Sequence, residues 1–271
     1  MSMFTVASKE FKDGLRNRWL ISITAIFTIL SIGLTYFGSA VSGTLEVASL
    51  STTIASLASL TVFLVPLIAL LVSYDSFVGE QESGTLLLLL TYPLSKPQLL
   101  LGKFIGQGAI IGLAIFFGFG SCALILYSQH SDIIILYSFA IFIASAILLG
   151  LSFTAIAYLI SLSVNEKSKA AGLALITWFL FALVFDLALL AFLVGVEQGI
   201  SQQGLTKLMM LNPADIFRLV NLAGLDSADV NGSVAMAVNS TMSQTSLFSV
   251  LTAWIILPLS LSIWLLKKKT L

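Results

Sequence analysis

FIGQGAIIGLAIFFGFGSCALILY, residues 104–127, decides the fold: it runs for 24 residues without one charged side chain. A helix rises about 1.5 Å per residue, so about 20 apolar residues cross roughly 30 Å of hydrocarbon. The stretch lacks the alternating pattern of a barrel strand, and a helix satisfies its own backbone in lipid. It therefore predicts a membrane-spanning helix. Gly102-x-x-x-Gly106 and Gly108-x-x-x-Gly112 at its start suit close approach of another helix, with a hinge as the alternative.

Working outward, five more stretches meet the same criterion: 19–38, 54–74, 133–162, 170–196 and 247–266. The fourth and fifth spans are longer than a bilayer needs, which implies tilt or extension beyond it. Pro66 and Pro258 fall inside the second and sixth spans and predict kinks there. Composition agrees, with 58% hydrophobic against 10% charged residues and a mean hydropathy of +1.04. A soluble domain carries about 25% charged residues, so a water-covered fold is excluded. Formal net charge is zero, which gives no bias toward nucleic acid. Cys122 is the single cysteine, so no intrachain disulfide is possible.

Six spans place both termini and the second and fourth loops on one side. That side holds Lys9, Lys12, Arg16, Arg18, Lys96, Lys103, Lys167, Lys169, Lys267, Lys268 and Lys269, eleven cations against two, Lys207 and Arg218. The positive-inside rule makes it cytoplasmic. The first apolar run is too long for a cleaved signal peptide despite Gly38-Ser39-Ala40, and a retained helix is expected.

The chain thus divides into an interfacial helix at 1–18, two spans at 19–74, a cytoplasmic loop at 75–103, three spans at 104–196, a periplasmic segment at 197–246, and a last span with a basic tail at 247–271. In the first piece Phe4, Ala7, Phe11, Leu15 and Trp19 recur at helical spacing with Lys9, Lys12, Asp13 and Arg16 between them. That pattern predicts an amphipathic helix in the interface, its basic groups facing lipid phosphates. The periplasmic segment predicts two short amphipathic helices broken at Asn212-Pro213, forming a lid or a docking surface. Asn231 and Asn239 begin N-x-S/T sequons there, read as chance.

The cytoplasmic loop reads DSFVGEQESGTLLLLLTYPLSKPQLLLGK from Asp75 to Lys103. Glu80 and Glu82 suit the N-terminus of a short helix, where backbone N–H groups lack partners. Residues 86–90 are too few to span, so they lie against membrane or a partner, and Pro93 and Pro97 turn the chain back. Asn165-Glu166-Lys167-Ser168-Lys169 is a smaller charged turn.

Glu80-Gln81-Glu82-Ser83-Gly84-Thr85-Leu86, then Tyr92-Pro93-Leu94-Ser95-Lys96 and Leu101-Gly102-Lys103, resembles the E-x-x-x-G-T-L … P-x-S/G … G-K pattern of type 2 ABC-exporter permeases. That family has six spans, an elbow helix and a coupling helix, so the resemblance covers the chain. It implies ATPase contacts at Glu80, Glu82, Gly84, Thr85, Pro93, Lys96, Asn165 and Glu166. Further runs, among them 13–19, 54–60, 89–94 and 211–218, resemble the permeases of transporters that mature nitrous oxide reductase. This implies a bacterial inner membrane, a second copy of the chain, two cytoplasmic ATPase subunits that bind ATP and Mg, and a periplasmic accessory protein in copper delivery. Leu208, Met209, Asn212, Asp215 and Arg218 are the expected docking residues for that protein.

The chain shows no chemistry of its own. Its sole Gly-Lys pair, Gly102-Lys103, lacks the upstream glycine of a phosphate loop and is followed by Phe104 rather than a hydroxyl. One His and one Cys make no metal cluster, so no cofactor is expected. Copper favours thiolate and thioether ligands, yet the spans hold Cys122 and no Met. Met209-Met210 is read as packing. These points favour mechanical work over a copper path, with export of a sulfur species or another small molecule, or a passive anchor for a periplasmic protein, as alternatives; a membrane-embedded enzyme has too few polar groups. Asp186 is the one intramembrane charge, near the middle of the fifth span. It is either a functional site or dimer contact, or a protonated Asp bonded to a neighbouring helix; the absence of an intramembrane Lys or Arg favours the second.

Overall fold

The computed structural model describes residues 2–37, 50–91, 94–195, 202–222 and 243–269, and every element among them is helical. Tyr92, Pro93, Asn231, Asn239 and most of the first external loop lie outside the described residues. The order is α1 (Met3–Arg16), α2 (Trp19–Phe37), α3 (Leu50–Ser73), α4 (Val78–Glu82), α5 (Thr85–Thr91), α6 (Lys96–His130) and α7 (Ile133–Ser163). Then come α8 (Lys167–Phe179), a π-helical turn (Leu180–Val184), α9 (Phe185–Gly195), α10 (Gln202–Met209), α11 (Pro213–Leu222) and α12 (Gln244–Lys268). Six helices among the described residues are long and apolar enough to cross a membrane: α2, α3, α6, α7, the α8–π–α9 unit and α12. Pro66 and Pro258 lie inside α3 and α12.

Polar residues set the boundaries. Ser95 begins α6 as half of a capping box: its Oγ accepts from Gln98 N–H at 3.4 Å while Gln98 Oε1 accepts from Ser95 N–H at 3.1 Å. Ser131, left-handed at φ 53°, closes α6, and Asp132 opens α7 by accepting from Ile134 N–H at 2.9 Å. Gly84, at φ +73°, reverses the chain between α4 and α5, a conformation that costs glycine nothing.

Between helices in lipid the attraction is packing rather than water exclusion, so shape decides the arrangement. The long helix α7 is central and packs on α3, α6, α11 and α12. Tilted and edge-to-face rings run Phe27, Phe119, Phe142, Phe217 at centroid spacings of 5.1, 5.0 and 5.6 Å, joining α2, α6, α7 and α11. The small residues of α6 serve α1: a Cβ on Gly102 would lie 2.7 Å from Met3 O, and one on Gly106 2.6 Å from Glu10 Cβ. α1 is therefore seated in a groove of α6, with Val6 and Ala7 buried and Phe4 and Leu15 exposed. The α10–α11 segment is not peripheral: Ile216, Phe217 and Leu219 of α11 are core residues, and α11 packs on α3, α7 and α12.

Candidate functional site

At the end of the molecule that holds both described chain ends, the loop expected to carry function is fastened to five other elements. Lys103, on the first turns of α6, is buried, and its ammonium lies 3.0 Å from Glu10 Oε1 of α1 and 2.7 Å from Glu80 Oε1 of α4. Beside it Gln107 Nε2 donates to Ser76 Oγ at 2.7 Å, and Tyr158 Oη of α7 donates to Gln107 Oε1 at 3.0 Å. Ser161 Oγ accepts from the backbone N–H groups of Phe77 and Val78 at 3.1 and 3.0 Å, which fixes the first turn of α4 to α7. Glu82 Oε1 accepts from Lys167 N–H at 2.6 Å, at the α8 N-terminus where free N–H groups favour an anion. Lys167 Nζ pairs with Asp75 Oδ2 at 2.7 Å. Lys269 Nζ reaches Gln81 Oε1 at 2.5 Å, and burial lowers the affinity of that amine for its proton.

The residues expected at this loop fall into two groups. Glu80 is turned inward onto Lys103, and Lys96 Nζ donates to the backbone carbonyl of Lys269 at 2.9 Å. Gly84, Thr85, Asn165 and Glu166 are exposed, with Gln81 Nε2 donating to Asn165 Oδ1 at 3.4 Å. Pro93 lies outside the described residues. A cavity of about 330 Å³ opens between α1, α4 and α6, bordered by Asp13, Asp75, Glu80, Lys103 and Lys167. The reach of Lys103 to Glu10 and Glu80 is not legible in the sequence, which shows it as a cation flanking a span and as the lysine of the Gly-Lys pair in the family pattern.

A second polar cluster lies toward the other end. Arg218 Nη1 donates to Asp186 Oδ2 at 2.6 Å and to Asp215 Oδ1 at 2.9 Å. Asn212 Nδ2 donates to the Phe181 carbonyl in the π-helical turn at 2.9 Å, and to Asp215 Oδ2 at 3.2 Å. The expectation that Asp186 lacks a basic partner is corrected by Arg218, which belongs to α11 and to no span. The pair gives Asp186 a charged neighbour in place of a neutral hydrogen bond between spans. Burial first and the Asp186 carboxylate second push the Asp215 carboxyl up to about 7, against the pull of Arg218. Met209, Asn212 and Asp215 are buried within the chain, Leu208 and Arg218 are half-buried, and Leu211 is exposed at 59%. The expected docking residues are therefore mostly interior ones, fully so for Met209, which is buried in the apolar cluster that also holds Leu205, Leu219 and Leu251. In the sequence, the spacing of Asn212, Asp215 and Arg218 along one helical face was the available signal.

The profile of the ABC-2 family transporter proteins matches residues 4–271. The chain belongs to the ABC-2 transporter family. Membership makes it a multi-pass permease subunit, a part that works with a separate ATPase. Proteins similar to the chain include the "Probable ABC transporter permease protein NosY" of Pseudomonas aeruginosa, 49% identical over 255 residues, which are 93% of each chain. The protein of the same name from Stutzerimonas stutzeri is 49% identical over 257 residues, again 93% of each. In this chain the Lys103 cluster lies at the segment between the second and third of the six apolar spans.

Proposed function

We propose that this chain is the permease of an inner-membrane ABC transporter that passes the work of ATP hydrolysis to a periplasmic step of copper-site assembly in nitrous oxide reductase. The name carried by the two relatives supports the process, and the charge asymmetry of the loops supports cytoplasmic termini. Two copies of the chain, two ATPase subunits holding ATP and Mg, and a periplasmic accessory protein complete the assembly in this reading.

The carrying observation is the Lys103 cluster. It ties α4 to α1 and α6, while Ser161, Lys167 and Lys269 add α7, α8 and the end of α12. A push on the exposed Gly84–Thr85 tip, or on Asn165 and Glu166, therefore reaches several spans together. α1 is the elbow helix of this reading and α4–α5 the coupling segment. Work rather than copper is transmitted, because the thioether of Met209 is committed to packing and the spans offer no other.

Co-purification in detergent with the ATPase subunit tests this. Wild type retains the ATPase, and Glu80→Ala/Glu82→Ala loses coupling of hydrolysis to reductase maturation. Unchanged recruitment and coupling in the double variant would overturn the role given to the loop.

A further inference from the structure

The fifth span, α8 through α9, is the least buried of the six, and it is fastened at its start and again past its middle to elements that are not spans. At its start Glu82 and Asp75 hold Lys167, 2.6 and 2.7 Å away. Nineteen residues on from Lys167, Asp186 is held by Arg218 of α11 at 2.6 Å. Between these attachments the backbone widens into the π-helical turn Leu180–Val184, whose Phe181 carbonyl is taken by Asn212. Such turns interrupt the i→i−4 ladder and recur where helices flex. Trp178 Nε1 donates to the Phe63 carbonyl of α3 at 2.9 Å, two residues before the turn. The half before the turn is thus tied to α3 and α4, and the half after it to α11.

We infer that the fifth span is the connecting rod between the α4 loop and the α10–α11 segment, with Arg218 the positioning residue that fastens its half beyond the π-helical turn. This rests on the mechanical reading above and adds its path. The fastening is strong for a physical reason. Withdrawing Arg218 would leave Asp186 and the buried Asp215 facing each other without a cation, so the α10–α11 segment follows the span rather than slipping over it. Asn212 adds a second bond on the other side of the joint, and the Phe217 ring passes the contact into the core at Phe142. The exposed Leu211, on the turn between α10 and α11, is the point at which this movement would surface.

The test uses the full transporter with its ATPase in nanodiscs and an environment-sensitive fluorophore at Leu211→Cys or Ser83→Cys, each in a Cys122→Ala background. The expected result is a response of both probes to ATP with vanadate. In Arg218→Met the Leu211 response falls to the nucleotide-free level while the Ser83 response persists. The charge exchange Asp186→Arg/Arg218→Asp restores it, which a merely destabilised segment would not show. A Leu211 response that survives in Arg218→Met, or that the exchange fails to restore, overturns the rod. Silence of both probes in the parent protein instead overturns the transmission reading beneath it.

Discussion

Lys103 Nζ lies 2.7 Å from Glu80 Oε1, with the lysine side chain 3% exposed, so the loop between the second and third spans is held by an ion pair inside the protein. Such a pair is costly to break from one side, because the remaining charge stays buried. Lys103→Met leaves Glu80 without its cation and Glu10 with only the exposed Lys9, 3.6 Å away. The expected cost is about 3–5 kcal/mol, read as a lower melting temperature in detergent. Neutralising all three with Glu10→Gln and Glu80→Gln recovers most of that loss.

The groove for α1 depends on the absence of side chains. A Cβ on Gly106 would stand 2.7 Å from the Ala7 carbonyl, a backbone atom that can move only with its helix. Gly106→Val is expected to lift α1 at a cost of about 1–3 kcal/mol. Limited proteolysis within α1 measures it, and an unchanged digestion rate would count against the seat described for α1.

Ser161 carries two buried backbone donors on one hydroxyl. In Ser161→Ala the N–H groups of Phe77 and Val78 lose their acceptor, at roughly 1–3 kcal/mol for each group left unsatisfied. Hydrogen exchange at the start of α4 should accelerate at least tenfold while exchange in the middle of α7 stays slow.

Asp215 gives the protein a pH dependence of defined sign. Its carboxyl titrates at about 7 in the folded chain, against about 3.9 when exposed. Between those values the folded form keeps a proton that the unfolded form has released, so stability falls as pH rises. The solubilised protein should melt at a lower temperature at pH 8 than at pH 5.5, and Asp215→Asn should flatten the difference. An equal slope in that variant would remove Asp215 as its source.

Met209 separates packing from metal handling. Met209→Leu conserves volume and is expected to cost less than about 1.5 kcal/mol, with reductase maturation unchanged. Loss of copper loading at unchanged stability would show the thioether acting on the metal.

The spans were legible because their signal is length and charge exclusion, which no neighbour alters. Residues 104–127 identify α6 by themselves, although charged and polar flanks extend it to Lys96–His130. The inward turn of Lys103 was not legible, since Glu10 stands 93 residues away in sequence and helix–helix register brings the two together. Asp186 was visible as an oddity, but its partner was hidden in a segment read as external. Arg218 was counted among loop charges, and only the burial of α11 between α3, α7 and α12 puts its guanidinium at the fifth span. Asn212-Pro213 marks the break between two helices as expected, and of the expected docking residues Met209, Asn212 and Asp215 are buried within the chain.

The most direct test of the transmission account is the copper content of nitrous oxide reductase matured in cells that carry Glu82→Leu in this chain. The change removes an exposed hydrogen bond from α4 to the start of the fifth span and leaves the Lys103 cluster in place. The account predicts that the ATPase stays bound to the purified transporter while copper loading falls several-fold. Full loading with the ATPase still bound would contradict it.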